Sequence, residues 1–167
     1  MMAAVRIIGI DPGLRSMGWG VIEANAARLM HVANGAIRPD DTKSLPERLR
    51  DLHEGLSAVI RNYEPCEAAV EETFVNRDPQ SALRLGQARG IALAVPSLLG
   101  LSVAEYAANL IKKTVTGTGH AGKRQVALMV SMLLPGCEAA SGDAADALAA
   151  AITHARLRSN AIRLLQR

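Results

Sequence analysis

The sequence predicts an α/β fold, a mixed sheet layered between helices, and three observations predict it. Val5, Ile7, Ile8 and Ile10 form an apolar, β-branched run without polar alternation, the pattern of a strand buried on both faces. Short links then join two more strand-like segments into an antiparallel meander. Finally the period changes to helical spacing over Leu45–Tyr63 and returns to a short apolar run, Glu67–Phe74, which makes a crossover unit with parallel strands. A chain of 167 residues suits one three-layer core, and we expect a single domain over residues 1–167 with a basic tail from about residue 159.

The first strand ends in a charge. Asp11 follows the apolar run, and Pro12-Gly13 forces a turn, so the carboxylate is expected at the carboxyl end of a buried strand, where open α/β sheets bind ligands. As a plain turn residue it would need nothing more; held in low dielectric it needs a cation or several donors.

The second and third strands are WGVIEA and RLMHVANGAIR. In the first helix, Leu45, Leu49, Leu52, Leu56, Val59 and Ile60 keep helical spacing, Ser44 is the expected N-cap and Glu47 completes a capping box. Pro65 ends it. In the fourth strand Glu71 and Glu72 point to opposite faces, so at most one of them serves a site on the sheet. A second helix is expected from Pro79 to Val95. Its Ala82, Gly86, Gly90 and Ala94 form a ridge of small side chains that suits close helix packing, within the chain or between subunits.

LSVAEYA reads as a fifth strand, and Ala107 to Pro135 as two helical pieces split by GTGHAG. Gly117, Gly122 and Lys123 imitate a phosphate loop, but Arg124 stands where Ser or Thr is required and no buried strand precedes the loop. Lys123 is instead expected as a cation at a helix start, aimed at phosphate. The last helix is expected from Ser141 or Asp143 to about Arg158. Asp143 and Asp146 share a face of its first turn, where acids also suit the helix dipole. His154 is expected to be a surface or partly packed residue, and Arg156, Arg158, Arg163 and Arg167 a frayed, solvated end.

Composition excludes several classes. No apolar stretch spans a bilayer and no basic-then-apolar signal segment begins the chain, so no membrane role is expected and a cytoplasmic location is. Cys66 and Cys137 lack the spacing of a zinc site or a disulfide framework. The net charge is +3, but no acid occurs between Tyr106 and Cys137, while Lys112, Lys113, Lys123 and Arg124 all do. Such a basic face suits nucleic acid, or is a solvated helix surface.

Four acids in three separated places, Asp11, Glu71, Asp143 and Asp146, are the candidate catalytic set. All-oxygen ligation without His or Cys selects Mg²⁺ or Mn²⁺, and two such ions can assist in-line phosphodiester displacement. Lys112 and Lys123 would neutralise the phosphate.

GIDPG, the Val-Glu-Glu-x-Phe strand, SALRLGQARG, the EYA to IKKTVTGTG segment with Lys123, and DAADALAAAITH together resemble the RuvC Holliday-junction endonuclease family, in its order and over about residues 5 to 156. The resemblance implies a ribonuclease-H-like fold with a mixed five-stranded sheet and helices on both faces. It implies a homodimer that resolves four-way junction DNA by paired metal-dependent nicks in strands of like polarity, and a branch-migration motor as partner. It makes Asp11, Glu71, Asp143 and Asp146 metal-binding carboxylates, for two Mg²⁺ per subunit with Mn²⁺ able to substitute. Lys112 and Lys123 match its basic residues at the phosphate and Phe74 its base-stacking residue. Arg77 and Arg89 are expected near DNA, beside Lys113 and Arg124.

Two other readings share features. Actin-like ATPases and sugar kinases also open on Gly-Ile-Asp-x-Gly, but need two such halves around a nucleotide. No nucleotide cofactor is therefore expected. A non-catalytic junction-binding module would not need all four acidic positions filled.

Overall fold

The computed structural model describes residues 4–25, 28–72, 78–139 and 142–165, the side chains of 159–165 excepted. The elements are β1 (Val5–Asp11), β2 (Met17–Asn25), β3 (Arg28–Ile37), α1 (Leu45–Tyr63), β4 (Glu67–Glu72), α2 (Pro79–Leu98), β5 (Ser102–Ala107), α3 (Ala108–Thr116), α4 (Lys123–Leu133) and α5 (Gly142–Leu165). They build one five-stranded sheet in the order β3-β2-β1-β4-β5. β1, β2 and β3 pair antiparallel, as the short links require, while β4 lies parallel to both β1 and β5. The expected meander and crossover are both present.

Alternation along β1 and β4 assigns the two faces. Ile8, Ile10, Ala68 and Val70 pack with Leu52, Leu56 and Ile60 of α1 and with Ala88, Ala92 and Val95 of α2. Ile7 and Ala69 point the other way, into a second core with Ile111 of α3, Val126 and Val130 of α4, and Leu148 and Ile152 of α5. Each large side chain so buried contributes about 1.5–3 kcal/mol. Three layers result, with α1 and α2 on one side and α3, α4 and α5 on the other.

α5 is the centre of the second layer. Ala144, Ala147, Leu148, Ala149, Ala150, Ala151 and Ile152 have no exposed surface, the pattern of a helix enclosed on all sides. It lies unusually close to the sheet because two strand positions facing it are glycines. A Cβ on Gly9 would stand 1.8 Å from the Ala147 carbonyl oxygen, and one on Gly18 would stand 2.1 Å from that of Asp143. Backbone rests on backbone, and the first turn of α5 is set directly over β1 and β2.

α1 begins as its sequence implies: the Glu47 carboxylate accepts from the Ser44 backbone N–H at 2.9 Å and from its hydroxyl at 2.6 Å. Three other expectations are corrected. α2 continues through Pro96 to Leu98, because so near the helix end the proline removes only one backbone hydrogen bond. Its buried stripe is Ala88, Ala92 and Val95, so the ridge of Ala82, Gly86, Gly90 and Ala94 turns away from the core; Gly86, Gly90 and Ala94 are exposed, and a Cβ on either glycine would meet nothing within 4 Å. α5 runs to Leu165, and Arg156 and Arg158 are not solvated ends. Arg156 donates to the Thr114 carbonyl, and Arg158 Nε donates to Glu67 Oε1 at 2.9 Å.

Among the described residues, no helix is long and apolar enough to cross a membrane.

Candidate active site

Parallel pairing brings the first two acids together. Ile10 is in register with Val70, so the next residues along, Asp11 and Glu71, reach the carboxyl ends of β1 and β4 at the same level. Both follow the alternation of Ile7 and Ala69 and therefore face the α5 side of the sheet. Glu72 faces the other way. The third acid comes from above: Asp146 lies on the first turns of α5, held over β1 by the close approach at Gly9.

Asp11, Glu71 and Asp146 line one cleft of about 240 Å³ with Lys112 of α3 and Lys123 of α4. Lys123 is the first residue of α4, as expected, and its Nζ reaches Asp146 Oδ2 at 3.3 Å. Its side chain is 81% exposed against 20% for Asp146, so a flexible cation covers a fixed acid. Asp143 opens on the other side of Asp11. Its Oδ2 accepts from the Ser16 hydroxyl at 2.7 Å, and it borders a second, wider depression that Asp11 also borders. α5 begins at Gly142, so Asp143 sits within the first turn; Ser141 lies outside the described residues.

The electrostatics follow from crowding like charges at a buried strand end. Burial, then repulsion from Glu71, Asp146 and Asp143, pushes the Asp11 carboxyl up to about 8 against partial relief from Lys123. Burial and Asp146 push Glu71 up to about 7, while Lys112 and Lys123 act to lower it. The charge of Asp146 and its hydrogen bond hold the Lys123 ammonium above its usual range. The acids thus resist ionising alone and would ionise together beside a cation.

A metal is the cation that this donor set fits. Its ligands would be hard carboxylate oxygens from three elements, with no sulfur or imidazole among them. Among the described residues no three such side chains are gathered closely enough, as they stand, to hold an ion.

The remaining candidates are spread around this centre. Lys113 and Arg124 are exposed on α3 and α4. Arg89 is engaged elsewhere: its guanidinium donates to Glu105 Oε1 of β5 at 2.7 Å, tying α2 to the sheet. Phe74 and Arg77 lie outside the described residues.

His154 is more than a packed histidine. Its Nδ1 shares a hydrogen bond of 2.7 Å with the Tyr106 hydroxyl, and its Nε2 one of 2.7 Å with Glu67, which also receives Arg158. This chain ties α5 to β4 and β5 on the face that carries Glu71, and burial beside Glu67 pushes the Tyr106 hydroxyl up. The sequence signal was a polar side chain on α5 two turns after Asp146. Arg15, Arg48 and Arg84, which line the second depression, carried no such signal; they are scattered over a loop and two helices.

Comparison with known proteins sets this geometry among relatives. The family model for crossover junction endodeoxyribonuclease RuvC matches residues 7–154. A protein of that name from Methylocella silvestris is 68% identical over 158 residues, covering 95% of this chain and 90% of its own length. One from Beijerinckia indica is 64% identical over 160 residues, covering 96% and 91%. Among solved structures, Thermus thermophilus RuvC in complex with a Holliday junction substrate superposes with a TM-score of 0.86 at 32% identity, covering 94% of this chain and 96% of that one.

Proposed function

The chain belongs to the RuvC family of crossover junction endodeoxyribonucleases, with that family's ribonuclease-H-like fold, and on this premise we propose that it resolves four-way DNA junctions through the carboxylates at the ends of β1, β4 and the start of α5. It is a nuclease by family, and the reaction is hydrolysis of one phosphodiester in each of two strands of like polarity. The whole chain acts as one nuclease domain.

The reading of the site rests on one observation: Asp11, Glu71 and Asp146 line a single cleft beside Lys112 and Lys123. These three acids, with Asp143 from the far side of Asp11, would hold two Mg²⁺ ions, and Mn²⁺ would substitute. Bound ions supply Lewis acidity, withdrawing charge from the phosphate and acidifying water. The chain's own groups orient the reaction. Asp11 and Glu71 are held rigidly by the sheet, so their oxygens define where the phosphate stops. Lys123, whose ammonium lies 3.3 Å from Asp146 at the mouth of the cleft, is placed to donate to the phosphate. Lys112 of α3 adds a second cation to the same cleft. Asp143 is held by the Ser16 hydroxyl on the far side of Asp11. Lys113, Arg124, Arg77 and Phe74 would extend the contact along the DNA.

Two matched nicks call for two equivalent sites, which a two-fold homodimer provides. The exposed ridge of Gly86, Gly90 and Ala94 supports α2 as the surface on which two copies meet. A branch-migration motor is the expected partner and the cytoplasm the expected location.

The test is cleavage of a synthetic four-way junction with and without Mg²⁺. The wild type should nick two opposed strands only with metal, and Asp11→Asn should lose roughly 10²–10³-fold in rate while still binding the junction. Junction binding with no metal-dependent nicking in either protein would make this a binding module instead.

A further inference from the structure

Asp11 stands between two depressions, and the lysines that would face the phosphate line only one of them. The second, of about 730 Å³, is walled by the loop after β1, the start of α1 and the start of α2, and it is open to solvent. Arg15, Arg48 and Arg84 line it from these three elements, with Ser81 beside Arg84 and Asp41 as the single acid other than Asp11 and Asp143. Arg15 and Arg84 are exposed. Arg48 is half-buried and its Nη2 donates to the Leu14 carbonyl at 3.1 Å, so one arginine braces the very loop that carries another. Three arginines line it from elements distant in sequence. A guanidinium is weakly hydrated and matches phosphate oxygens two at a time, so a groove bordered by several of them suits a phosphodiester.

We propose that this arginine-lined groove is a second phosphate-binding subsite, which seats the backbone of the cleaved strand beside the scissile phosphate. The inference rests on the nuclease reading of the neighbouring cleft. A strand whose scissile phosphate lies over Asp11, between Lys112 and Lys123, must leave the cleft on some side. The groove shares Asp11 with the cleft, and once Asp11 and Asp143 are neutralised by cations its balance is three arginines against Asp41. It therefore offers the next phosphate a complementary surface without a break in contact. Its role is to hold the strand in register, so that the reacting phosphate cannot slide past the carboxylates.

The test compares Arg15→Gln, Arg84→Gln and the double variant with Arg61→Gln, which removes an equal charge from an exposed residue in the last turn of α1. Binding of a labelled four-way junction is followed by anisotropy in Ca²⁺, so that cations occupy the carboxylates, between about 50 and 200 mM salt. Each groove variant should flatten the slope of log K against log salt by about one unit, and the double variant by about two. Arg61→Gln should leave the slope at the wild-type value. In cleavage assays with Mg²⁺ the groove variants should raise KM about three- to tenfold, with the loss carried by KM rather than kcat. A junction bearing a neutral methylphosphonate next to the scissile position should show the same loss with the wild type and no further loss with Arg84→Gln. Slopes equal to that of Arg61→Gln, or additive losses with the methylphosphonate at every flanking position, would overturn the subsite. A wild type that neither binds nor nicks the junction would instead overturn the reading on which the subsite rests.

Discussion

Asp11 has two demands on it that conflict, since it must ionise to bind a cation and yet lies buried among Glu71, Asp146 and Asp143. Its pKa, about 8 in the fold against an ordinary 3.8, measures that conflict. Because the folded value lies above the unfolded one, the contribution to stability is fully present below about pH 4 and is lost as the pH rises through 8. Glu71, held near 7, follows the same sign within a narrower window. The metal-free protein should therefore melt lower at pH 8.5 than at pH 5.5. Asp11→Asn, freed of the penalty, should melt above the wild type at pH 8.5 by several degrees, on the order of 2 kcal/mol, with the gap closing toward pH 5. Added Mg²⁺ should reverse that order at pH 8.5 by stabilising only the wild type. Thermal melts across this range check it; a gap that widens on acidification would contradict the assignment of the raised pKa to Asp11.

At the scale of the element, α5 carries two of the acids and its seat on the sheet decides where they stand. Gly9→Ala sets a methyl group against the Ala147 carbonyl, where neither backbone can yield alone. The expected cost is about 2–4 kcal/mol, with cleavage falling further than stability accounts for, since the whole helix must lift. Denaturation and cleavage measured on one sample decide between this and a merely looser core. The element pattern itself was legible: the apolar run of β1, the capping box of Ser44 and Glu47, and the split of α3 from α4 at GTGHAG all follow from local chemistry. The carboxylates were legible as a set because Asp11 and Glu71 end apolar strands. The parts that could not be read depend on which face of an element turns inward. α2 buries Ala88, Ala92 and Val95, although the ridge one face round has the more regular small-residue spacing. Arg158 reads as part of a solvated end and His154 as a surface or partly packed residue, and only the packing of α5 over β4 brings them to Glu67. The groove arginines meet only through tertiary structure.

For the molecule as a whole, the exposed stripe on α2 is the feature that a lone chain leaves unexplained. Gly86, Gly90 and Ala94 share the outer side of a helix that also exposes Leu83, so backbone could approach backbone across a two-fold axis. A Cβ on Gly90 would meet nothing within 4 Å, so Gly90→Leu should not lower the melting temperature of the isolated subunit. It should shift the protein from dimer to monomer in light scattering and uncouple the two nicks, so that singly nicked junctions accumulate. A dimer that survives Gly86→Leu and Gly90→Leu together would place the interface on another surface.

The contact of α5 with Gly9 and Gly18 has one more consequence, in the order in which the fold comes apart. With no layer of side chains between helix and strand there, the amides of β1, β2 and the early turns of α5 can open to solvent only when the helix detaches as a unit. Hydrogen exchange should find them the slowest in the protein and nearly equal in rate, far slower than the amides of α3 or the outer turns of α2. Asp11, Asp143 and Asp146 then belong to the last unit to let go.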